Sequence, residues 1–268
     1  SATACFLPTV MTYSTVGGSG YGFTQTNSTA ISLMAYSMTV DVNGDGRDDV
    51  VFPTGSDWQA LIANTTSFYS SPSTSGVSAT NYQKAMPIDF NSDGKMDILV
   101  PNASNNWRIL QSTSSGTTLS FTTIDTSSPA TGAGGNAWVA DANGDGRPDI
   151  CYTSGSSIQC IYNNGSSGFG FANTLYWLGG GEAFATSAAP SLNETFSSEI
   201  RSANFNNDGV TDLMVFITVG GTPQWRVLVS NGSGYATAAT LPATVGTIGG
   251  LADLNGDRLT DLVYDCSG

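Results

Sequence analysis

An all-β fold, a five-bladed β-propeller of four-stranded antiparallel blades, is what this sequence predicts, and three observations predict it. One acidic loop occurs five times: DVNGDGRDD from Asp41, DFNSDGKMD from Asp89, DANGDGRPD from Asp141, NFNNDGVTD from Asn204 and DLNGDRLTD from Asp253. Each copy is followed by a short apolar run (VVF, ILV, ICY, LMVF, LVY) of the kind that forms a buried strand. No stretch keeps a helical period for long, and no apolar run approaches the length that spans a bilayer.

Each loop carries oxygen-bearing side chains at positions 1, 3, 5 and 9. A hard cation such as Ca²⁺ takes about six to eight oxygens, and alternate residues of a tight turn converge on one point. In the first copy the expected side-chain ligands are Asp41, Asn43, Asp45 and Asp49, with the carbonyl of Arg47 at position 7 and Gly46 permitting the sharp turn. An EF-hand is excluded, because it needs a bidentate Glu at position 12 and a helix on either side. Position 12 here is Phe52, Val100, Tyr152, Val215 and Tyr264, all inside the apolar runs. Each loop is therefore expected to join two strands of a hairpin.

Composition agrees with a metal-loaded β protein. The chain has 268 residues, a formal charge of −13 and only 8 Lys plus Arg. Fourteen of the 21 acids are expected ligands, three in each of four loops and two in the loop at Asn204. Five bound Ca²⁺ would offset ten of the thirteen net negative charges, so the acidity is a metal signature more than a guide to a basic partner. Nucleic acid is not an expected partner, since phosphate contacts need Lys and Arg, and neither is membrane insertion. The absence of His excludes Ser-His-Asp and Cys-His catalysis and argues against an ordinary zinc site. With neither an initiator Met nor a leader in view, a processed chain or excised module is expected.

Loop starts are separated by 48, 52, 63 and 49 residues, the repeat length of propeller blades. The third unit is the clearest. Its strands are expected at Ala137–Ala140, Ile150–Thr153, Ile158–Asn163 and Phe169–Leu175. Blades are expected at about 36–80, 81–130, 131–178 and 199–244, with the fifth assembled from 245–268 plus 1–30, so that 1–268 is a single domain. That last blade follows from the ends. Only LVYDCSG follows the fifth loop, whereas two strands, around Phe6–Tyr13 and Gly20–Gln25, precede the first blade. Joining both termini in one blade removes exposed sheet edges.

The four cysteines suggest an oxidising, extracellular-type compartment. Cys151 and Cys160 flank a turn of the third unit, where a cross-strand disulfide is expected. Cys5 and Cys266 would pair in the composite blade and lock the ring, a closure worth about 4–5 kcal/mol in the chain-entropy model. Pairings such as Cys5–Cys151 would cross blades and rank below these.

The loops with their flanking strands resemble the FG-GAP/VCBS repeats of integrin-type propellers, over nearly the whole chain. In that family the loop joins the first two strands of a blade and binds Ca²⁺. The resemblance implies a second site of Asp89, Asn91, Asp93 and Asp97 with the Lys95 carbonyl, and a third of Asp141, Asn143, Asp145 and Asp149 with that of Arg147. It implies a fourth of Asn204, Asn206, Asp208 and Asp212 with Val210, and a fifth of Asp253, Asn255, Asp257 and Asp261 with Leu259. Four or five calcium ions per chain are expected. Two loops depart from the pattern. Asn204 removes one charge, so weaker binding is expected there. Arg258 stands where the turn Gly belongs, so that loop is expected to be distorted or to order only with metal and ring closure together. Similar propellers occur in bacterial Rhs/YD-repeat and toxin-complex proteins and in some lectins.

Sites that recur in every blade read as structural staples more than switches. Trp58, Trp107 and Trp225 occupy equivalent strand positions, where Ile158 stands in the third unit. They are candidates for stacking a sugar, although packing between blades is the favoured reading. The segment from Trp177 to Ser198 explains the 63-residue spacing and, with Glu199, holds every Glu of the chain. Trp177 and Glu182 are its ligand candidates, weighed evenly against a neutral insertion. The function expected is a non-catalytic, calcium-stabilised recognition or assembly module, secreted or at the cell surface, binding a protein or glycan on a propeller face. It is expected to be monomeric or part of a longer chain. The alternatives are a multivalent lectin and a propeller-fold polysaccharide lyase. Without His the lyase would depend on Lys84, an Arg, a Tyr or paired carboxylates, and no such pair stands out.

Overall fold

The computed structural model describes residues 36–264 apart from 55, 66–71, 132–136, 166–167, 180–181, 185–199 and 243–247. Contacts divide the chain into Ser1–Ser32, outside the described residues, and Leu33–Gly268. The second unit is all-β, and its described helical structure is one 3-10 turn at Tyr82–Lys84.

Four sheets follow one plan, each built from consecutive antiparallel strands. The first holds β1 (Met38–Val40), β2 (Asp49–Pro53), β3 (Asp57–Leu61) and β4 (Ser73–Ser78). The second holds β5 (Met86–Ile88), β6 (Asp97–Pro101), β7 (Asn106–Ser112) and β8 (Phe121–Pro129). The third holds β9 (Ala137–Ala140), β10 (Asp149–Ser154), β11 (Ser157–Asn163) and β12 (Phe169–Trp177), within two residues of the boundaries expected from the sequence. In the fourth, β14 (Ile200–Ala203) is followed by β15 (Asp212–Val219), β16 (Thr222–Ser230) and β17 (Tyr235–Pro242). The fifth sheet has two described strands, β18 (Ile248–Ala252) and β19 (Asp261–Tyr264). The strands expected near Phe6–Tyr13 and Gly20–Gln25, and the Cys5–Cys266 bridge, lie outside the described residues.

The apolar runs after the first four loops are continuous because their strands are buried on both faces, whereas Val263 in the run after the fifth loop is exposed. Along β6, Ile98 and Val100 join the first sheet's Val51, Trp58 and Ala60, while Leu99 faces the third sheet with Ile150, Tyr152 and Phe169. Along β15, Leu213, Val215 and Ile217 pack with Cys151, Ile158 and Leu175, while Met214 and Phe216 turn toward Leu262 of the fifth sheet. Each sheet thus packs face to face on the next in chain order. Cys151 and Cys160 are directly opposed across β10 and β11 and form the expected disulfide.

The tryptophans follow the favoured packing reading, which removes their second reading as ligand contacts. Trp58, Trp107 and Trp225 are candidates for ligand stacking, yet their exposures are 0%, 0% and 2%. Each indole fills the space between its own sheet and the next, as Ile158 does in the third sheet, so none offers a face to a ligand. The insertion contributes strand residues at its start. Trp177 ends β12, with its side chain exposed, and β13 (Glu182–Phe184) pairs with β15 (Glu182↔Val219, Phe184↔Ile217). At eight residues, β15 is long enough to carry β13 and β14 on the same edge.

Truncating Trp107 to Ala should cost about 3–5 kcal/mol in denaturant unfolding, as expected for a large buried aromatic. Truncating the exposed Trp177 should change stability by less than about 0.5 kcal/mol. Equal effects would contradict the packing role.

Candidate metal centres

All five loops close hairpins of one register. The last residue of the first strand lies opposite the loop's ninth residue in each: Val40↔Asp49, Ile88↔Asp97, Ala140↔Asp149, Ala203↔Asp212 and Ala252↔Asp261. Position 6 needs a left-handed backbone, with φ between 79° and 86° at Gly46, Gly94, Gly146, Gly209. Arg258 takes φ 71° at the same place, and its N–H still donates to Asp253 Oδ2 at 2.9 Å. The fifth loop is therefore not distorted by its Arg; the bond to Asp253 holds the strained residue in the turn.

The first carboxylate organises the turn. Asp41 accepts the N–H groups of Gly44, Asp45 and Gly46 at 2.7, 3.2 and 2.7 Å, and Asp141 repeats the set with Gly144, Asp145 and Gly146. Asp89 and Asp253 make shorter versions. In every loop the position-3 amide donates to the position-5 carboxylate: Asn43 to Asp45, Asn91 to Asp93, Asn143 to Asp145, Asn206 to Asp208 and Asn255 to Asp257. The expected side chains of positions 1, 3 and 5 are thus brought together.

Position 9 plays a part that its sequence position does not announce. Asp49, Asp97, Asp149 and Asp212 are 0% exposed. One oxygen of each accepts the N–H of loop position 2 (Val42, Phe90, Ala142, Phe205). The other accepts an N–H at the far end of the third strand, from Ala63, Ser112, Asn163 and Ser230, at 2.7–2.8 Å. Each buried carboxylate therefore brackets its hairpin to the neighbouring strand. Asp261 keeps the first of these bonds, to Leu254, and is half-buried.

The electrostatics are unfavourable for an anion alone. Burial pushes Asp97 up to about 7, against the lowering effect of the Ser112 and Phe90 N–H groups and with help from Asp93 and Asp89. Burial likewise raises Asp149 to about 6, with Asp145 and Asp141 adding to it, and raises Asp49 and Asp212. Nearby positive charge is limited: Arg47 and Arg147 pair with Asp45 and Asp145 in their own loops.

Among the described residues, no three Asp, Glu, His or Cys side chains gather into a metal-holding group. The loops are mixed sets of carboxylate, amide and carbonyl oxygens instead, and those oxygens suit a hard cation in kind. Two of them point the same way by their isolation. Asn91 Oδ1 at position 3 and Asn204 Oδ1 at position 1 are buried without a hydrogen-bond donor. An unpaired buried acceptor costs about 1–3 kcal/mol, which a cation at that place would remove.

In chelator, Asp97→Ala should destabilise the fold by about 2–5 kcal/mol, because it strands two buried N–H groups. Asp93→Ala, on the exposed turn, should cost less than about 1 kcal/mol under the same conditions. Equal losses in urea melts would contradict the bracketing role.

No curated protein matches the chain in sequence. A solved structure of an Agrocybe aegerita lectin, described by its specific recognition of non-reducing terminal N-acetylglucosamine, superposes with a TM-score of 0.57 at 16% identity. It covers 84% of this chain, which in turn spans 59% of the lectin chain. The Photorhabdus luminescens Tc holotoxin pore superposes with a TM-score of 0.56 at 20% identity, covering 86% of this chain and 11% of the toxin chain. The chain thus spans less than two thirds of either relative, and at these identities the likeness is one of fold. The profile of the FG-GAP-like repeat matches residues 41–100, 89–152 and 141–215, three overlapping pairs of the loops described above. With well over half of its length matched by that repeat, the chain belongs to the FG-GAP-like repeat family.

Proposed function

We propose that the chain is a calcium-stabilised, non-catalytic recognition or assembly module of a secreted or cell-surface protein. Its five loops each hold one Ca²⁺ through positions 1, 3, 5 and 9 and the position-7 carbonyl. Its five sheets are the blades of one β-propeller. The observation that carries this reading is the repeated all-oxygen loop with its orphaned acceptors, Asn91 Oδ1 and Asn204 Oδ1. Calcium, when bound, supplies the positive charge that offsets carboxylates buried beside one another.

The residues divide the work. Positions 1 and 5 turn the loop and present oxygens, position 9 ties it to the third strand, and the packed sheets beneath keep the array rigid. A rigid array of this kind suits binding to a partner more than chemistry. The sequence has no His, and the buried carboxylates of Asp49, Asp97, Asp149 and Asp212 are fixed in place by the backbone N–H groups they accept. The disulfide between Cys151 and Cys160 supports an oxidising compartment. No helix among the described residues is long and apolar enough to cross a membrane.

The partner is a protein or a glycan. The lectin and toxin relatives, both alike in fold, make each class reasonable, and the burial of Trp58, Trp107 and Trp225 favours the protein. Exposed Trp177 remains a contact candidate on this reading.

Thermal unfolding with and without chelator tests the calcium part. A site filled at a hundred times its Kd adds about 2.7 kcal/mol, or about 5–11 °C in Tm for a chain of this size. Several sites should therefore lower Tm by tens of degrees on chelation, and an unchanged Tm would sink the reading. A glycan array run in calcium tests the partner class. No reproducible hit is expected, whereas a hit abolished by chelator would favour the lectin.

A further inference from the structure

Consecutive loops are wired to one another through the backbone. The residue at position 8 of one loop donates its N–H to the position-1 carbonyl of the loop before it: Met96 to Asp41 at 2.8 Å, Thr211 to Asp141 at 2.9 Å and Thr260 to Asn204 at 3.0 Å. The two threonines also return a bond. Thr211 Oγ1 accepts the Asp141 N–H at 3.2 Å, and Thr260 Oγ1 accepts that of Asn204 at 3.1 Å. Side chains follow the same route. A Cβ on Gly44 would meet Lys95 Cγ at 3.1 Å, and one on Gly144 would meet Val210 Cγ2 at 2.9 Å, so position 7 of the later loop lies against position 4 of the earlier one.

The seam between the second and third loops breaks this pattern. Its position 8 is Pro148, which has no N–H to give to Asp89. A cavity of about 460 Å³ opens at that place, lined by Asp89, Ser92 and Met96 of the second loop and Asp141, Gly146 and Pro148 of the third. The sheets below remain joined. Asn163 Nδ2 donates to the Phe90 carbonyl at 2.8 Å, and the Phe90 and Phe169 rings meet edge to face at 5.4 Å. The interruption is therefore confined to the loops.

We infer that Pro148 interrupts the coupling of consecutive loops between the second and the third, while the first stays coupled to the second, the third to the fourth and the fourth to the fifth. Occupancy of one loop is transmitted to a directly bonded neighbour and not across Pro148. The inference rests on the calcium reading and deepens it. Its physical basis is the placement of the bond. The acceptor residue (Asp41, Asp141 or Asn204) supplies the position-1 ligand of its loop. The donor residue (Met96, Thr211 or Thr260) lies between the position-7 carbonyl and the position-9 carboxylate of the next. Ordering either set of ligands fixes one end of the shared bond, so the other set loses less freedom when it orders. Met96, Thr211 and Thr260 are positioning residues in this arrangement.

The test is hydrogen exchange of the intact protein during a calcium titration, following the amides of Lys95 and Val210 as reporters of the second and fourth loops. In a variant whose third loop is disabled by Asp145→Ala, the calcium midpoint at Val210 should rise about five- to tenfold, the worth of one hydrogen bond, while that at Lys95 stays within twofold. Adding Pro148→Thr, which supplies the missing donor, should make Lys95 respond to Asp145→Ala as well. Thr211→Val, which removes only the returning bond, should weaken the link to Val210. Equal shifts at Lys95 and Val210 without the Pro148 substitution, or no new response at Lys95 with it, would overturn the division. If no loop responds to calcium, it is the metal reading that fails, and exchange in calcium-free buffer decides the wiring. Pro148→Thr should then slow the Lys95 amide about fivefold, and an unchanged rate would refute the wiring too.

Discussion

A buried carboxylate that brackets a hairpin to the next strand is the interaction on which this structure depends. Asp49, Asp97, Asp149 and Asp212 each accept one N–H from the loop and one from the end of the third strand. Without that bracket the loop would be an exposed acidic turn hinged on two strands. With it, the position of every other oxygen in the loop is referred to the sheet. The arrangement has a cost, seen in the upward shift of Asp97 to about 7, because a charge has been taken out of water beside other carboxylates. Nearby positive charge therefore has a structural use before any question of signalling arises.

The same bracket connects the loops to the packing between sheets. Ser112, Asn163 and Ser230 donate their N–H groups to the buried Asp and their side chains to a carbonyl of the preceding loop: Val42, Phe90 and Ala142. Loop geometry, strand register and the sheet-to-sheet interface are thus set at one small cluster of polar atoms per repeat. Below it, the second, third and fourth sheets share apolar side chains with a neighbour on each face, and Trp58, Trp107 and Trp225 supply the largest of the side chains between sheets. Recognition surfaces built on such a frame inherit its rigidity, which reduces the entropy lost on binding.

Much of this was legible in the sequence because the signals are local. A loop with oxygens at alternate positions, a turn Gly and a following apolar run defines a hairpin by itself, and the boundaries at Ala137–Ala140 and Ser157–Asn163 lie close to expectation. The disulfide was readable for the same reason, since Cys151 and Cys160 flank one short turn. What was not legible depends on where a side chain ends up. The tryptophans look alike whether they face solvent or the next sheet, and only the packing of consecutive sheets decides it. Position 9 looks like another ligand, and its second hydrogen bond reaches 14 to 18 residues along the chain. The tolerance of Arg258 at positive φ also depends on a partner, Asp253, whose bond offsets the strain. A short strand such as Glu182–Phe184 has too few residues to show a period, and its existence follows from the length of β15.

Cations held in these loops would balance the carboxylates buried beneath them. Native mass spectrometry in calcium-replete buffer measures this directly by counting the ions each chain retains. Four or five ions per chain are expected, the range reflecting the missing charge at Asn204. Two or fewer would contradict that balance.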